Sequence, residues 1–383
     1  MVKFKKLGDL CYISSGGTPK RTITDYWDNG KIPWVKISDI KSKHILNTDE
    51  RITKQGLENS SAKLFPKDTI VYTIFATVGE VGILDITAAT NQAIAGIQVK
   101  DRTQLRVDYL YYFLKSIKKS VQFLGRGVAQ NNINLSVLKS ISVPIPSFQE
   151  QTAIVKVLDS LNGQIKNKHK QLTFLSQLIK ARFVEMFGDP VLNSNDYKLI
   201  KLSNLGTLSR GKSKHRPRND PKLLGGPYPL IQTGDITNSG IFIKKYNNTY
   251  SKLGLKQSKM WPAGTLCITI AANIAQTAIL SFDACFPDSV VGFIPKADII
   301  TTTYLHYWFS FFQKILDAQA SQVAQKNINL KVLSNLDVAV PPITEQDKFL
   351  SFVQQVDKSK VAVQKSLEET QTLFDSLMQK YFG

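Results

Sequence analysis

One stretch of the sequence, residues 147–187, decides the fold: SFQEQTAIVKVLDSLNGQIKNKHKQLTFLSQLIKARFVEMF. Apolar residues recur in it at alternating steps of four and three, interrupted only by Lys168 and Arg182, and this spacing is typical of a coiled-coil seam. Ser147 and Glu150 predict a capping box at the start of the helix, and a glycine and a proline follow its end. The apolar seam positions of this first long helix are Ile154, Leu158, Leu161, Ile165, Leu172, Leu175, Ile179 and Met186.

The same seam recurs 195 residues later, which makes the chain a tandem repeat. Outside the helices, VAQNNINL at residues 128–135 matches VAQKNINL at residues 323–330. A period near 195 is too long for a solenoid repeat, so each repeat is a whole domain followed by a long helix. A helix packed on its own globular core would show a similar stripe, but the length and the second copy favour a coiled coil. The apolar seam positions of the second long helix are Phe349, Val353, Val356, Val363, Leu367, Phe374, Leu377 and Tyr381.

The sequence therefore predicts an α+β fold. Two mixed α/β domains are separated by an antiparallel coiled coil of two long helices, with an internal pseudo-two-fold repeat. The antiparallel direction is expected because the second domain connects the end of the first long helix to the start of the second. The predicted boundaries are residues 1–146 for the first domain, 147–188 for the first long helix, 189–341 for the second domain and 342–383 for the second long helix.

Local patterns predict elements inside the two domains. Runs of β-branched and aromatic residues predict buried strands at residues 69–75 and 265–270. Helical spacing predicts helices at residues 108–124 and 303–320.

The charge balance points to a polyanionic partner. The 383 residues contain 49 basic and 30 acidic side chains, which leaves a net charge of +19. Nucleic acid is the first candidate and an anionic membrane surface the second. Three cysteines in apolar or strand-like contexts make a disulfide framework unexpected and fit a reducing cytoplasm. We expect neither a signal peptide nor a membrane span.

A basic segment, RGKSKHRPR at residues 210–218, is broken by glycine and proline. It predicts a flexible arm that neutralises phosphates, and a solvated loop is the alternative interpretation. Gln130 with Asn131, and Gln325 with Lys326, are candidates for adenine contacts or for turning the chain into the long helices. The candidate phosphate or base contacts are Lys20, Arg21 and Lys36 in the first domain and Arg210, Lys212, Lys214, Arg216 and Arg218 in the second.

Four motifs carry a resemblance to a known family: QNNINL at 130–135, QKNINL at 325–330, FQEQ at 148–151 and ITEQ at 343–346. With a domain and a helix arranged twice in that order, the chain resembles the specificity (S) subunit of type I restriction-modification systems. The SGGTP turn at 15–19 and the IPWV strand at 32–35, with Asp39, also resemble that family. The second domain has RGK and YPLI at the corresponding places, which implies that the two domains read different sequences.

The resemblance implies a non-catalytic subunit that recognises double-stranded DNA in the prokaryotic cytoplasm. Each domain would read one half of a split asymmetric site, while the helices set the spacing and bind two modification (methyltransferase) subunits. S-adenosylmethionine, ATP and Mg would belong to partner subunits, including a motor subunit, and no cofactor to this chain.

Two other functions compete with this interpretation, a self-contained nuclease or methyltransferase and a structural coiled-coil scaffold. The sequence carries no methyltransferase motif, no phosphate-binding loop and no metal-spaced Cys/His set. The four histidines are scattered and give no catalytic cluster. A nuclease or methyltransferase would require such a constellation. A scaffold would not retain DNA in a salt-dependent way.

Overall fold

The computed structural model describes residues 3–125, 132–215, 217–271, 274–311 and 329–383. The chain forms two compact units. The first contains Met1–His169 and Lys365–Gly383, and the second contains Lys170–Gln364. Each long helix therefore contributes one part to each unit.

The first unit is built from three sheets. The largest has the strand order β2-β10-β7-β8-β4, the second has the order β5-β3-β9-β6, and β1 pairs with β11. The strands are β1 (Lys3–Lys6), β2 (Cys11–Ser15), β3 (Ile32–Val35), β4 (His44–Ile45), β5 (Glu50–Ile52), β6 (Leu64–Phe65), β7 (Ile70–Thr73), β8 (Val81–Leu84), β9 (Ala88–Thr90), β10 (Ile94–Val99) and β11 (Ser142–Ile145). The helices are α1 (Leu7–Leu10), α2 (Lys54–Glu58), α3 (Val107–Ser116), α4 (Lys118–Gly125), α5 (Leu135–Ser140) and the first long helix, α6 (Phe148–Phe187).

The second unit repeats the first strand for strand. Its sheets have the orders β13-β21-β18-β19-β15, β16-β14-β20-β17 and β12-β22. The strands are β12 (Leu199–Lys201), β13 (Gly206–Arg210), β14 (Leu224–Leu230), β15 (Phe242–Ile243), β16 (Asn248–Tyr250), β17 (Met260–Trp261), β18 (Leu266–Thr269), β19 (Thr277–Leu280), β20 (Ala284–Cys285), β21 (Val290–Pro295) and β22 (Asp337–Ala339). The helices are α7 (Leu202–Leu205), α8 (Thr233–Asn238), α9 (Lys252–Lys256), α10 (Thr302–Phe309), α11 (Leu330–Ser334) and the second long helix, α12 (Ile343–Phe382). The predicted α+β class and internal repeat are confirmed.

Two local predictions need correction. The helix predicted at residues 108–124 is two helices, α3 and α4, because the backbone leaves helical geometry at Ile117 (φ −84°, ψ 4°). Of the helix predicted at 303–320, α10 covers residues up to Phe309, and residues 312–320 lie outside the described residues. The strands predicted at 69–75 and 265–270 are β7 and β18, each of four residues and buried throughout.

Each unit has a core that includes part of both long helices. In the first unit, Leu158 and Leu161 of α6 belong to the same buried cluster as Phe374 of α12. Lys168 donates to the Thr370 hydroxyl at 2.8 Å, which pairs a polar interruption of one seam with one of the other. The early part of α6 therefore packs beside the late part of α12, as expected for an antiparallel pair.

In the second unit, the late part of α6 packs beside the early part of α12. The Phe349 ring of α12 lies 5.5 Å from Phe183 and 5.4 Å from Phe187 of α6. Both α6 rings are buried although neither occupies a seam position, because they also contact Tyr304 of α10, which belongs to the domain. Periodicity along one helix cannot reveal that contact.

The predicted seam positions lie on the covered side of both helices. The buried ones are Leu158, Leu161, Ile179, Phe349, Val353, Val356, Leu367 and Phe374. The partly buried ones are Ile154, Ile165, Leu172, Leu175, Met186, Val363, Leu377 and Tyr381.

A buried glutamine fastens each long helix to its domain. The Gln151 amide oxygen accepts from the Arg106 backbone N–H at 2.9 Å, and its nitrogen donates to the carbonyls of Gln104 and Pro146. Gln346 repeats this arrangement, accepting from the Thr301 N–H at 2.8 Å and donating to two carbonyls. Both side chains are fully buried, so every one of these bonds replaces a bond to water. The glutamine that ends both FQEQ and ITEQ therefore has a structural role, since it anchors the long helix to its domain.

Side chains also cap the starts of α5, α6 and α11. Ser147 and Glu150 form the predicted capping box, since the Ser147 N–H donates to the Glu150 carboxylate at 2.8 Å and the Glu150 N–H donates to the Ser147 hydroxyl at 3.2 Å. Asn134 and Asn329, the last asparagines of the two repeated motifs, cap α5 and α11. All three cysteines are free and buried, as expected. No helix among the described residues is long and apolar enough to cross a membrane.

Candidate nucleic-acid interface

In the first unit, three charged side chains meet where β3 ends. Lys36 follows the last residue of β3, and Glu50 opens β5, which pairs with β3 so that Trp34 lies opposite Glu50. Arg21 comes from the turn after β2. The Lys36 ammonium lies 2.8 Å from one Glu50 oxygen, and an Arg21 nitrogen lies 2.5 Å from the other. One carboxylate thus holds two of the three cations predicted for this domain.

Two tryptophans complete this group, which we call the Arg21 cluster: Arg21, Trp27, Trp34, Lys36 and Glu50. The Arg21 guanidinium carbon lies 3.7 Å from the centre of the Trp27 ring and 4.9 Å from that of Trp34. At these distances the ring faces attract the cation. The two indoles meet edge to face, with ring centres 5.0 Å apart.

The SGGTP turn and Lys20, which follows it directly, support the tryptophans. The Trp34 indole N–H donates to the Gly17 carbonyl at 3.0 Å, and the Trp27 indole N–H donates to the Lys20 carbonyl at 3.2 Å. A side chain at Gly17 would place its Cβ 2.3 Å from the Ser61 backbone, so only glycine fits this close approach. The Lys20 side chain is exposed.

The charges of the Arg21 cluster stabilise one another. The hydrogen bond to Glu50 raises the pKa of Lys36 above its usual range. Burial alone would raise the pKa of Glu50, but the hydrogen bond from Lys36 and the ion pair with Arg21 outweigh it and lower that pKa. Because two cations face one anion, the cluster keeps one net positive charge near neutral pH.

Asp39, part of the resemblance noted above, has a local structural contact. Its carboxylate accepts from the Lys36 backbone N–H at 2.7 Å at the start of a short 3-10 turn. In the second unit, Asp235 accepts from the Gln232 N–H at 2.8 Å at the start of α8. Both aspartates fix the backbone that follows a central strand.

In the second unit, the basic segment is tied to the domain. The Arg210 side chain donates to the Asp288 backbone carbonyl at 2.9 Å, and Arg218 pairs with the Asp288 carboxylate. The Gln257 side chain accepts from the His215 N–H at 3.1 Å. These contacts differ from the flexible arm expected from the sequence, because acidic and amide groups of the domain are within reach of the segment. Lys212 and Lys214 have exposed side chains.

A cavity of about 250 Å³ lies beside this segment. Its walls are mostly polar and include Ser213, Arg218, Leu230, Gln232, Thr233, Tyr250, Pro287 and Ser289. Leu230 pairs with Asn248 and Cys285 in the same way that Trp34 pairs with Glu50 and Ala89. Trp34, Lys36 and Glu50 therefore correspond to Leu230, Gln232 and Asn248. The two units present different side chains at the same strand end.

The remaining candidates fall outside the described residues: Gln130, Asn131, Arg216, Gln325 and Lys326. The structure also shows three groups that sequence reasoning missed, the carboxylates of Glu50 and Asp288 and the indole of Trp27. A search for basic residues does not find acidic partners. The signal for Glu50 is its place opposite Trp34, which only the strand pairing reveals.

A domain repeated strand for strand, with a basic side chain near the end of the same central strand in both copies, Lys36 in the first and Arg218 in the second, suits a two-domain nucleic-acid-recognition protein. Residues 1–175 and 194–370 each match the family described as type I restriction modification DNA specificity domain. The chain belongs to this family and carries two copies of its domain. As a member of the specificity subunits of type I restriction-modification systems, it is a DNA sequence-recognition protein.

Individual relatives agree with this assignment. The chain is 24% identical over 400 residues to the type I restriction enzyme MjaIX specificity subunit of Methanocaldococcus jannaschii, covering 98% of this chain and 91% of that protein. The fold is similar to the S subunit of a type I restriction-modification system from M. genitalium, with a TM-score of 0.60, 17% identity and coverage of 100% and 96% of the two chains. It is also similar to a chain from a structure addressing complex assembly and conformational transition of the type I R-M system, with a TM-score of 0.61, 16% identity and coverage of 100% and 97%.

Proposed function

We propose that each unit of this chain reads one part of a split, asymmetric DNA site. One observation carries the proposal: the same scaffold presents Trp34, Lys36 and Glu50 in one unit and Leu230, Gln232 and Asn248 in the other. Identical strand pairing keeps the position of the reading groups constant, while different side chains make different contacts. Two different half-sites follow.

Non-specific affinity comes from the excess of positive charge. With a net charge of +19, the chain attracts the phosphate backbone, and this part of the affinity falls steeply with salt. Lys20, Lys212 and Lys214 suit phosphate contacts, since their side chains are exposed, the first next to Arg21 in the chain and the other two in the basic segment at residues 210–218. These contacts position the protein on the duplex without reading its sequence.

The long helices bind the partner subunits. Although a water-exposed helix surface is normally polar, large apolar side chains point outward from both helices. The most exposed are Phe174 at 63%, Val361 at 56%, Leu373 at 50% and Leu178 at 48%. We assign these exposed side chains to the binding of two modification (methyltransferase) subunits, one for each repeat. The length of the helices then sets the number of unread base pairs between the half-sites.

Catalysis belongs to those partners in this proposal. The chain contributes no catalytic residue and no cofactor of its own, and it acts in the prokaryotic cytoplasm. S-adenosylmethionine, ATP and Mg act in the modification and motor subunits. The absence from the sequence of a methyltransferase motif or phosphate-binding loop supports this division.

Methylation mapping tests the proposed function. The full chain is co-expressed with a type I modification subunit, and methylated adenines are located across a genome. We expect one motif with two specified parts separated by a fixed number of unspecified base pairs. A single uninterrupted motif, or methylation that does not depend on this chain, would overturn the proposal.

A matched pair of substitutions tests the helix surface. Phe174→Asp places a charge on the exposed apolar surface of α6, whereas Gln171→Asp places the same charge at an exposed polar position of that helix. We expect only the first variant to lose co-purification of the modification subunit, with both melting like the parent. Retention of the subunit by Phe174→Asp would show that this surface is not the docking site.

A further inference from the structure

The Arg21 cluster holds its guanidinium in one place. Trp27 and Trp34 lie against it at 3.7 and 4.9 Å, and Glu50 binds one end of it. The indoles are themselves fixed, because each donates its N–H to a backbone carbonyl of the preceding turn. The Arg21 side chain nevertheless remains 51% exposed, so a ligand can reach it.

The same contacts leave a defined part of the guanidinium open. The ion pair with Glu50 uses Nη1. Among the described residues, Arg21 has no other hydrogen bond or ion pair. No described residue therefore uses the edge formed by Nε and Nη2, and such an edge can donate two parallel hydrogen bonds.

A role limited to neutralising phosphate does not explain why the Glu50 carboxylate lies between Arg21 and Lys36. Glu50 takes up part of the charge of Arg21 and Lys36, and its carboxylate would repel a phosphate at that position. Reading a base has the opposite requirement, since direction matters more than net charge. Two parallel donors on a planar group match the O6 and N7 acceptors of guanine in the major groove.

The second unit lacks this arrangement. At the positions of Trp34, Lys36 and Glu50 it has a leucine, a glutamine and an asparagine. A guanine preference that depends on an arginine held by indoles and a carboxylate is therefore specific to the first unit.

We propose that Arg21 reads a guanine in the half-site of the first unit and that Glu50 is the positioning residue that aims it. The inference rests on the proposed function and adds to it the base and the residue that reads it. Lys36 also pairs with Glu50 and helps to fix its carboxylate, so Arg21, Lys36 and Glu50 act together.

The test compares base preferences of the full chain in complex with its modification subunit. DNA is selected from a library randomised across the two half-sites, and bound sequences are counted at two salt concentrations. The variants are Arg21→Ala, Arg21→Lys and Glu50→Gln. The matched control is Arg102→Ala, which breaks the exposed ion pair of Arg102 with Asp68 at 2.8 Å elsewhere in the same unit.

We expect the parent to select guanine at one position of one half-site. Arg21→Ala lowers that preference about 10- to 100-fold and leaves the other positions unchanged, as loss of one bidentate contact requires. Arg21→Lys and Glu50→Gln lower it in the same direction, because lysine lacks the fork and the glutamine amide no longer holds the guanidinium through charge. Arg102→Ala leaves every preference unchanged.

Two results would overturn this inference while leaving the proposed function intact. If Arg21→Ala weakens all sequences equally and reduces the salt dependence by about one phosphate contact, Arg21 is a phosphate contact. If Glu50→Gln keeps the full guanine preference, Glu50 does not aim Arg21. If the parent itself selects no two-part site, the proposed function fails, and the inference fails with it. Melting curves of every variant separate these outcomes from misfolding.

Discussion

Truncation of Leu158 tests whether the seam of α6 contributes to the core of the first unit. Leu158 is fully buried in the same cluster as Tyr112 and Phe374, whereas Leu178 of the same helix is 48% exposed. Leu158→Ala removes three buried carbons and leaves a cavity, so it should cost about 2–5 kcal/mol of unfolding free energy. Leu178→Ala removes the same atoms from a surface position and should change that free energy by less than about 0.5 kcal/mol.

Calorimetry of the full chain measures the difference. For a unit of this size, each kcal/mol shifts the melting temperature by roughly 2–4 °C, so Leu158→Ala should lower the transition of the first unit by roughly 4–20 °C. Leu178 lies in the second unit, and Leu178→Ala should leave the transition of that unit within about 2 °C of the parent. Equal shifts in the two variants would refute the assignment of the seam to the buried side of α6.

Three further outcomes follow from individual contacts. Burial lowers the pKa of His306 from its ordinary 6.5 to about 4, so the unfolded chain binds more protons than the folded chain between those values. The free energy of unfolding should therefore fall by about 1–3 kcal/mol as the pH drops from above 6.5 towards 4. His306→Gln should flatten this dependence when melting is followed as a function of pH. Gln346→Leu leaves one buried N–H and two carbonyls without their partner and should lower the unfolding free energy by about 2–4 kcal/mol in urea titrations; a neutral effect would exclude the anchor role. Asp288→Asn weakens the pairing of Arg218 and should change base preference only in the half-site of the second unit, so a change in both half-sites in the library selection would contradict independent reading.

Periodicity predicted the long helices and their covered side because every residue of such a helix repeats the same local geometry. Leu158 and Phe349 could be placed on that side from spacing alone, and both are fully buried. The pairing of Lys168 with Thr370 was less accessible, since it requires the register between two helices whose polar interruptions lie 202 residues apart.

The candidate site was less predictable, since its members come from separate turns and strands. Arg21 and Lys36 were found through their charge, but Glu50 joins them only because β5 pairs with β3. Gln151 was visible in a motif, yet its role depends on the Arg106 N–H, 45 residues away in sequence. In the second unit, the segment that was expected to be a flexible arm is anchored, because Arg218 pairs with Asp288, 70 residues away in sequence. Long-range pairing of this kind leaves no local pattern in the sequence.

Modular recognition by the two domains can be tested by exchanging one of them. Residues 1–146 are replaced by the equivalent domain of a relative with a different target, and methylated sites are mapped in cells that express the hybrid with its modification subunit. We expect one part of the motif to change while the other part and the number of unread base pairs stay the same. A hybrid that folds and methylates DNA but alters both parts of the motif would contradict it.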